Sequence, residues 1–95
     1  MKNINICGIR HSIDYVVDEF ENNEMLGQIR YKDAKIQINQ ACCDEIQKAT
    51  LCHEIMHGIL LHIGRDDLSN DEAFVTAIGN AVNESFKPNV YEVKE

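Results

Sequence analysis

Several things are scarce or missing in this sequence, and each absence excludes a class of function. No uninterrupted run of about 18 apolar residues occurs anywhere in the 95 residues, so no transmembrane helix is expected. The segment Met1-Lys2-Asn3-Ile4-Asn5-Ile6-Cys7-Gly8 alternates polar and apolar residues, which is not the pattern of a secretory signal. Basic residues are few, 9 Lys and Arg against 16 Asp and Glu, for a net charge of −7. That balance offers little to neutralise phosphates, so neither a nucleic-acid nor a membrane partner is expected. The cysteines Cys7, Cys42, Cys43 and Cys52 contain no CxxC pair, which argues against a cysteine zinc site. Small buried or half-buried thiols in a reducing, cytoplasmic setting are the expectation. Repeats, low-complexity stretches and linkers are absent, so residues 1–95 are read as one domain.

What is present reads in two halves. Residues 1–40 alternate as strands do: Ile4 and Ile6, then Ile13, Tyr15 and Val17, then Leu26 to Tyr31 and Ala34 to Asn39 about a turn at Lys32-Asp33. Glu19 to Glu24 reads as a loop. From Asp44 to about Ile63 the period is helical, with Gly64 and Arg65-Asp66-Asp67 as a stop. Ser69-Asn70-Asp71-Glu72 resembles a capping box that opens a second helix over 70–87. Its apolar stripe would be Phe74, Ala77, Ile78, Ala81 and Val82. Residues 88–95, from Pro88 on, form a tail that alternates like a short strand. The expectation is an α+β fold: a small antiparallel sheet of three to four strands packed on two helices.

One motif carries chemistry. His53-Glu54-Ile55-Met56-His57 is an HExxH sequence inside the first predicted helix. Histidines four apart are about 40° apart around a helix, so both imidazoles can converge on one ion. Glu54 lies about 100° away, where it can take a proton from a zinc-bound water and later return it. A helix this apolar on nearly all sides is a central one, and two buried histidines without partners would be costly. The competing reading is a pair of core histidines satisfied by hydrogen bonds.

A catalytic zinc site needs a third protein ligand and one open position. His62 stands about 180° from His53 and cannot share its ion. With Ile63 where a third histidine could fall, a carboxylate is the expected ligand. Glu72, in the first turn of a returning helix, is the first choice; Asp71, Asp67 or Asp66 are alternatives, and Glu72 could serve only as a cap. Gly79 would let the second helix approach closely, with Thr76 or Asn83 available to orient a ligand. Tyr91 could donate to an oxyanion or simply pack. His11 and His62 are expected at the surface or an interface.

With these residues in hand, the chain resembles a known group. Thr50-Leu51-Cys52-His53-Glu54-Ile55-Met56-His57-Gly58-Ile59-Leu60, followed by Asp71-Glu72-Ala73-Phe74-Val75-Thr76-Ala77-Ile78, is similar to the small phage-type zinc metallopeptidases of the ImmA/IrrE kind, among the gluzincins and minigluzincins. The upstream strand pairs, with Gly8-Ile9 in the first strand and Gly27 to Tyr31 before Ile36 to Ile38, are similar too. The resemblance implies a zincin-like fold with an active-site helix and a glutamate helix. It also implies one Zn2+ per chain held by His53, His57 and Glu72, with Glu54 as general base. An edge strand, here Ala34 to Asn39, would hold extended substrate. A weaker resemblance to YbeY-type ribonucleases, through His57-Gly58 and Gly64, stops at Leu61 and Asp67, where a third histidine would be needed.

The expected function is therefore a zinc metalloendopeptidase acting on a protein or peptide substrate, with cleavage of a regulatory protein as the analogy suggests. The alternative is a zinc-binding regulatory or interaction module, catalytically silent or self-inhibited by its C-terminal tail. The oligomeric state is left open.

Overall fold

The computed structural model describes residues 1–17 and 25–93; the expected loop from Glu19 to Glu24 lies outside them. β1 (Lys2–Ile6) and β2 (Ile9–Val16) form a hairpin turned by Cys7 and Gly8, at φ of 49° and 82°. Two adjacent positive-φ residues make the tight turn whose twist suits a hairpin. Gly8 is thus in the turn rather than in the first strand, and Ile9 opens β2. β3 (Gly27–Arg30) and β4 (Lys35–Asn39) form a second hairpin, closed by Ala34 N–H donating to Tyr31 O at 3.3 Å. β5 (Tyr91–Glu92) adds to the outer side of β1.

The sheet has five strands in the order β3-β4-β2-β1-β5, and β2 runs parallel to β4. This corrects the expectation of an antiparallel sheet of three to four strands. The reason lies in β4, whose Ile36 and Ile38 are fully buried. Placed between β2 and β3, that strand has an apolar neighbour on each side: Ile13 and Tyr15 of β2, and Ile29 of β3. Consequently Ala34 to Asn39 is interior, and among the described residues β3 is the sheet edge on that side. The expectation that Ala34 to Asn39 is an edge strand is thus corrected: it lies one strand inward of the edge.

Ile4, Ile6, Ile13, Ile36 and Ile38 face one side of the sheet, where Leu51 and Ile55 of α1 (Asp44–His62) complete the core. The helix ends as its sequence predicts: Gly64, at φ 81°, donates to Leu61 O at 3.0 Å and Arg65 to Leu60 O at 2.8 Å. That is the Schellman pair, which satisfies the last carbonyls of the helix. A short helix, α2 (Asp66–Ser69), precedes α3 (Glu72–Ser85). α3 packs on α1 and α2 and not on the sheet, so α1 is a middle layer covered on both sides. This is why it is apolar nearly all round.

The start of α3 departs from the capping-box expectation. Asp71, not Ser69, is the N-cap, its Oδ1 accepting from Phe74 N–H at 3.1 Å. Ser69 ends α2 instead. The buried face of α3 runs through Val75 and Gly79, with Ile78 and Val82 half-buried, while Ala77 and Ala81 are exposed.

At Gly27, where β3 passes under α1, a Cβ would lie 2.7 Å from Thr50 Cγ2 and 2.8 Å from the Gln37 carbonyl oxygen. The second contact is backbone of the adjoining strand, which cannot swing aside. Gly27→Ala should therefore lower stability by about 1–3 kcal/mol in a urea titration. An unchanged midpoint would mean that β3 does not run this close to α1.

Candidate metal centre

Two helices bring three ligand-type side chains together. His53 and His57 are successive turns of α1, and their Nε2 atoms are 3.1 Å apart. Glu72, in the first turn of α3, places Oε2 3.1 Å from His53 Nε2 and Oε1 2.8 Å from His57 Nε2. Asp71 caps the helix (Oδ1 to Phe74 N–H), and Asp67 is committed to Arg65, with Oδ1 and Oδ2 at 3.1 and 3.0 Å. Among the described residues, His53, His57 and Glu72 are the one group of three or more His, Cys, Asp or Glu side chains whose ligand atoms could hold a metal ion, all within 4.8 Å.

The donor set suits zinc. Bonds of 2.0–2.2 Å in a tetrahedron set ligand atoms roughly 3.3–3.5 Å apart. The observed 2.8–3.1 Å separations need only a few tenths of an ångström of opening to admit the ion. Burial lowers the pKa of His53; Glu72 opposes that shift and His57 adds to it. The net effect favours the neutral imidazole, the form that ligates.

Close helix packing makes the convergence possible. A Cβ on Gly79 would stand 3.2 Å from His53 Cα and 3.4 Å from His53 N. Any side chain there would push α3, and Glu72 with it, away from α1. Of the residues expected to orient ligands, Thr76 lines the cleft, whereas Asn83 accepts a long contact from the buried Cys52 thiol at 3.7 Å. Burial pushes that thiol's pKa up, which makes it an inert neighbour. No cysteine is paired: Cys52 is buried, Cys42 half-buried, and Cys7 and Cys43 exposed, contrary to the expectation that all would be sheltered.

Glu54 is the fourth candidate side chain. It is 7% exposed and lines the same cleft as His53, His57 and Glu72. Burial first, and the charge of Glu72 second, push its carboxyl pKa up to about 7. A carboxyl held there can exchange a proton near neutral pH.

The cleft has a volume of about 740 Å³ and runs from His53, His57 and Glu72 to β3. Leu26, Gly27, Ile29, Tyr31 and Ile46 make one wall, and Asn70, Thr76 and Asn80 give a polar opposite side. Asn39 N–H donates to Leu26 O at 2.8 Å, which fixes the hydrogen-bonding alternation of the β3–β4 pair. By that alternation the N–H and C=O groups of Gly27 and Ile29 point away from β4, toward the side on which no further strand pairs among the described residues.

Other expected residues lie elsewhere. Tyr91 donates to Asn5 Oδ1 at 2.8 Å on the opposite edge of the sheet, four strands from β3. With β5 there, the tail as far as Val93 does not enter the cleft. His11 corrects the surface assignment: it is fully buried, with its ring 5.7 Å from that of half-buried His62. Its Nδ1 donates to Ile9 O at 2.9 Å. Sequence reasoning missed Ser69, which is 3% exposed and touches His57; its pattern suggested a cap, and nothing local marked it otherwise.

Glu54 also makes a prediction for the metal-free protein. Its pKa rises from 4.5 in the unfolded chain to about 7 in the folded one, so between those values the folded state keeps a proton the unfolded state has lost. Stability should fall as pH rises through this window and level off above it. Glu54→Gln lacks the effect, so its stability advantage over wild type should grow by on the order of 3 kcal/mol between about pH 4.5 and 8. Urea melts across that range check this, and parallel curves would contradict it.

Comparison with known protein families, characterised proteins and solved structures finds no match to this chain.

Proposed function

We propose that this protein is a zinc-dependent peptidase that cleaves extended protein segments. The observation that carries the reading is the convergence of His53, His57 and Glu72 beside a separate buried carboxyl, Glu54, in one open cleft. A purely structural zinc site would have four protein ligands and no use for a buried acid next to it. The resemblance of the HExxH helix and glutamate helix to ImmA/IrrE-type peptidases points the same way.

Zinc bound here would supply a Lewis acid for the scissile carbonyl and would acidify a water molecule. The chain's own residues do the rest. Glu54 takes the water proton on its carboxylate and passes it to the leaving amine. Gly27 and Ile29 offer backbone donors and acceptors to a substrate strand, which would extend the sheet past β3 and lie across the cleft. The low walls leave room for a chain rather than enclosing a small molecule.

The test is cleavage of an unstructured polypeptide by the zinc-loaded protein, with fragments identified by mass spectrometry. Wild type should cut at discrete sites. Glu54→Gln should retain its zinc and lose at least 100-fold in rate, in line with the worth of a general base. Equal rates for the two proteins would exclude Glu54 as the base. Zinc binding with no cleavage of any substrate would favour a metal-binding interaction module instead.

A further inference from the structure

The hydroxyl of Ser69 makes two contacts, both to one residue. Its proton is donated to the His57 backbone carbonyl at 3.1 Å, and its oxygen lies 3.4 Å from His57 Nδ1. A hydroxyl has one proton. With that proton on the carbonyl, only lone pairs of Oγ remain for the ring, so Nδ1 must be the donor. The pair of contacts thereby favours the tautomer with hydrogen on Nδ1 and a free lone pair on Nε2. That Nε2 is the atom that converges with His53 Nε2 and Glu72 Oε1, at 3.1 and 2.8 Å.

The selection has an opponent. In the metal-free protein the Glu72 carboxylate next to Nε2 favours a hydrogen on that nitrogen, the wrong place for ligating an ion. Ser69 supplies the opposing bias from the other side of the ring. It is 3% exposed, so water does not compete for its bonds. It also stands at the end of α2, with only Asn70 and the N-cap Asp71 between it and Glu72. One hydroxyl thus ties the segment that launches Glu72 to the turn of α1 that carries His57.

We infer that Ser69 is a positioning residue of the metal centre, fixing His57 in the tautomer that binds metal and anchoring the start of the Glu72 helix to α1. This rests on reading His53, His57 and Glu72 as metal ligands, and not on whether the loaded protein cleaves anything. Groups that orient a ligating histidine commonly contribute 10- to 100-fold to metal affinity, which is the effect expected here.

The experiment is zinc binding by chelator competition for wild type, Ser69→Ala and Ser69→Thr, with the His57 tautomer read from long-range 1H–15N spectra of the metal-free proteins. Ser69→Ala should still bind one zinc but about 10- to 100-fold more weakly, and its His57 should shift toward the Nε2–H tautomer. Ser69→Thr, which keeps the hydroxyl, should restore most of both. A Ser69→Ala protein that melts earlier yet keeps wild-type zinc affinity and tautomer would overturn the inference, leaving Ser69 a packing residue. Wild type that takes up no zinc would instead overturn the metal-centre reading beneath it. Tight zinc binding without peptidase activity would leave Ser69 in its role.

Discussion

The approach of α3 to α1 at Gly79 decides where Glu72 can stand. With His53 Cα and N so near the absent side chain, the two helix backbones touch at that point, at His53 itself on α1 and about two turns on from Glu72 along α3. Two histidines on one helix provide only an edge of a coordination shell. The third ligand must come from another element, and a carboxylate in the first turn of a helix is steered by the angle and distance at which that helix packs. Val75, fully buried, and Ser69, bonded to the His57 carbonyl, fix the same approach from either side of Glu72. The site is therefore a property of the α1–α3 contact more than of any single loop.

Burial of α1 between the sheet and α3 has an electrostatic consequence. It removes water from Glu54, whose carboxyl is pushed up to about 7, and it lowers His53. Both shifts oppose charge in the metal-free protein, and a divalent cation in the triad would relieve them by stabilising the Glu54 carboxylate and using the neutral imidazole. Metal binding and folding stability are coupled on this account, as expected of a small domain whose core is modest. The polar side of the cleft and β3, the edge strand among the described residues, line the same cleft as these groups.

Local features were legible in the sequence. The HExxH spacing, the glycine stop at Gly64 and the need for a small residue at Gly79 are all set by helix geometry within a few residues, and the structure places each where expected. The placement of Glu72 near His53 and His57 was legible because a returning helix packs back along the one before it. Sheet order was not legible: whether β3 or β4 sits beside β2 depends on Ile36 and Ile38 finding cover on both sides, a comparison between distant segments. Ser69 was misread because a short helix, Asp66–Ser69, takes up the residues that would otherwise start α3, and the cap falls to Asp71. His11 reads as surface by composition alone, yet its strand position directly opposite Ile4 puts it on the core side.

The central claim is that one zinc ion is held jointly by the two helices. The most direct test is elemental analysis of zinc per chain, for wild type and for Glu72→Ala, each purified without added metal and again after zinc loading and dialysis. The account predicts about one zinc in the wild type and a sharp loss in Glu72→Ala, since two histidines from one helix would not retain the ion through dialysis. Equal zinc in both proteins would move the third ligand off α3 and contradict the account, as would a wild type that holds no zinc after loading.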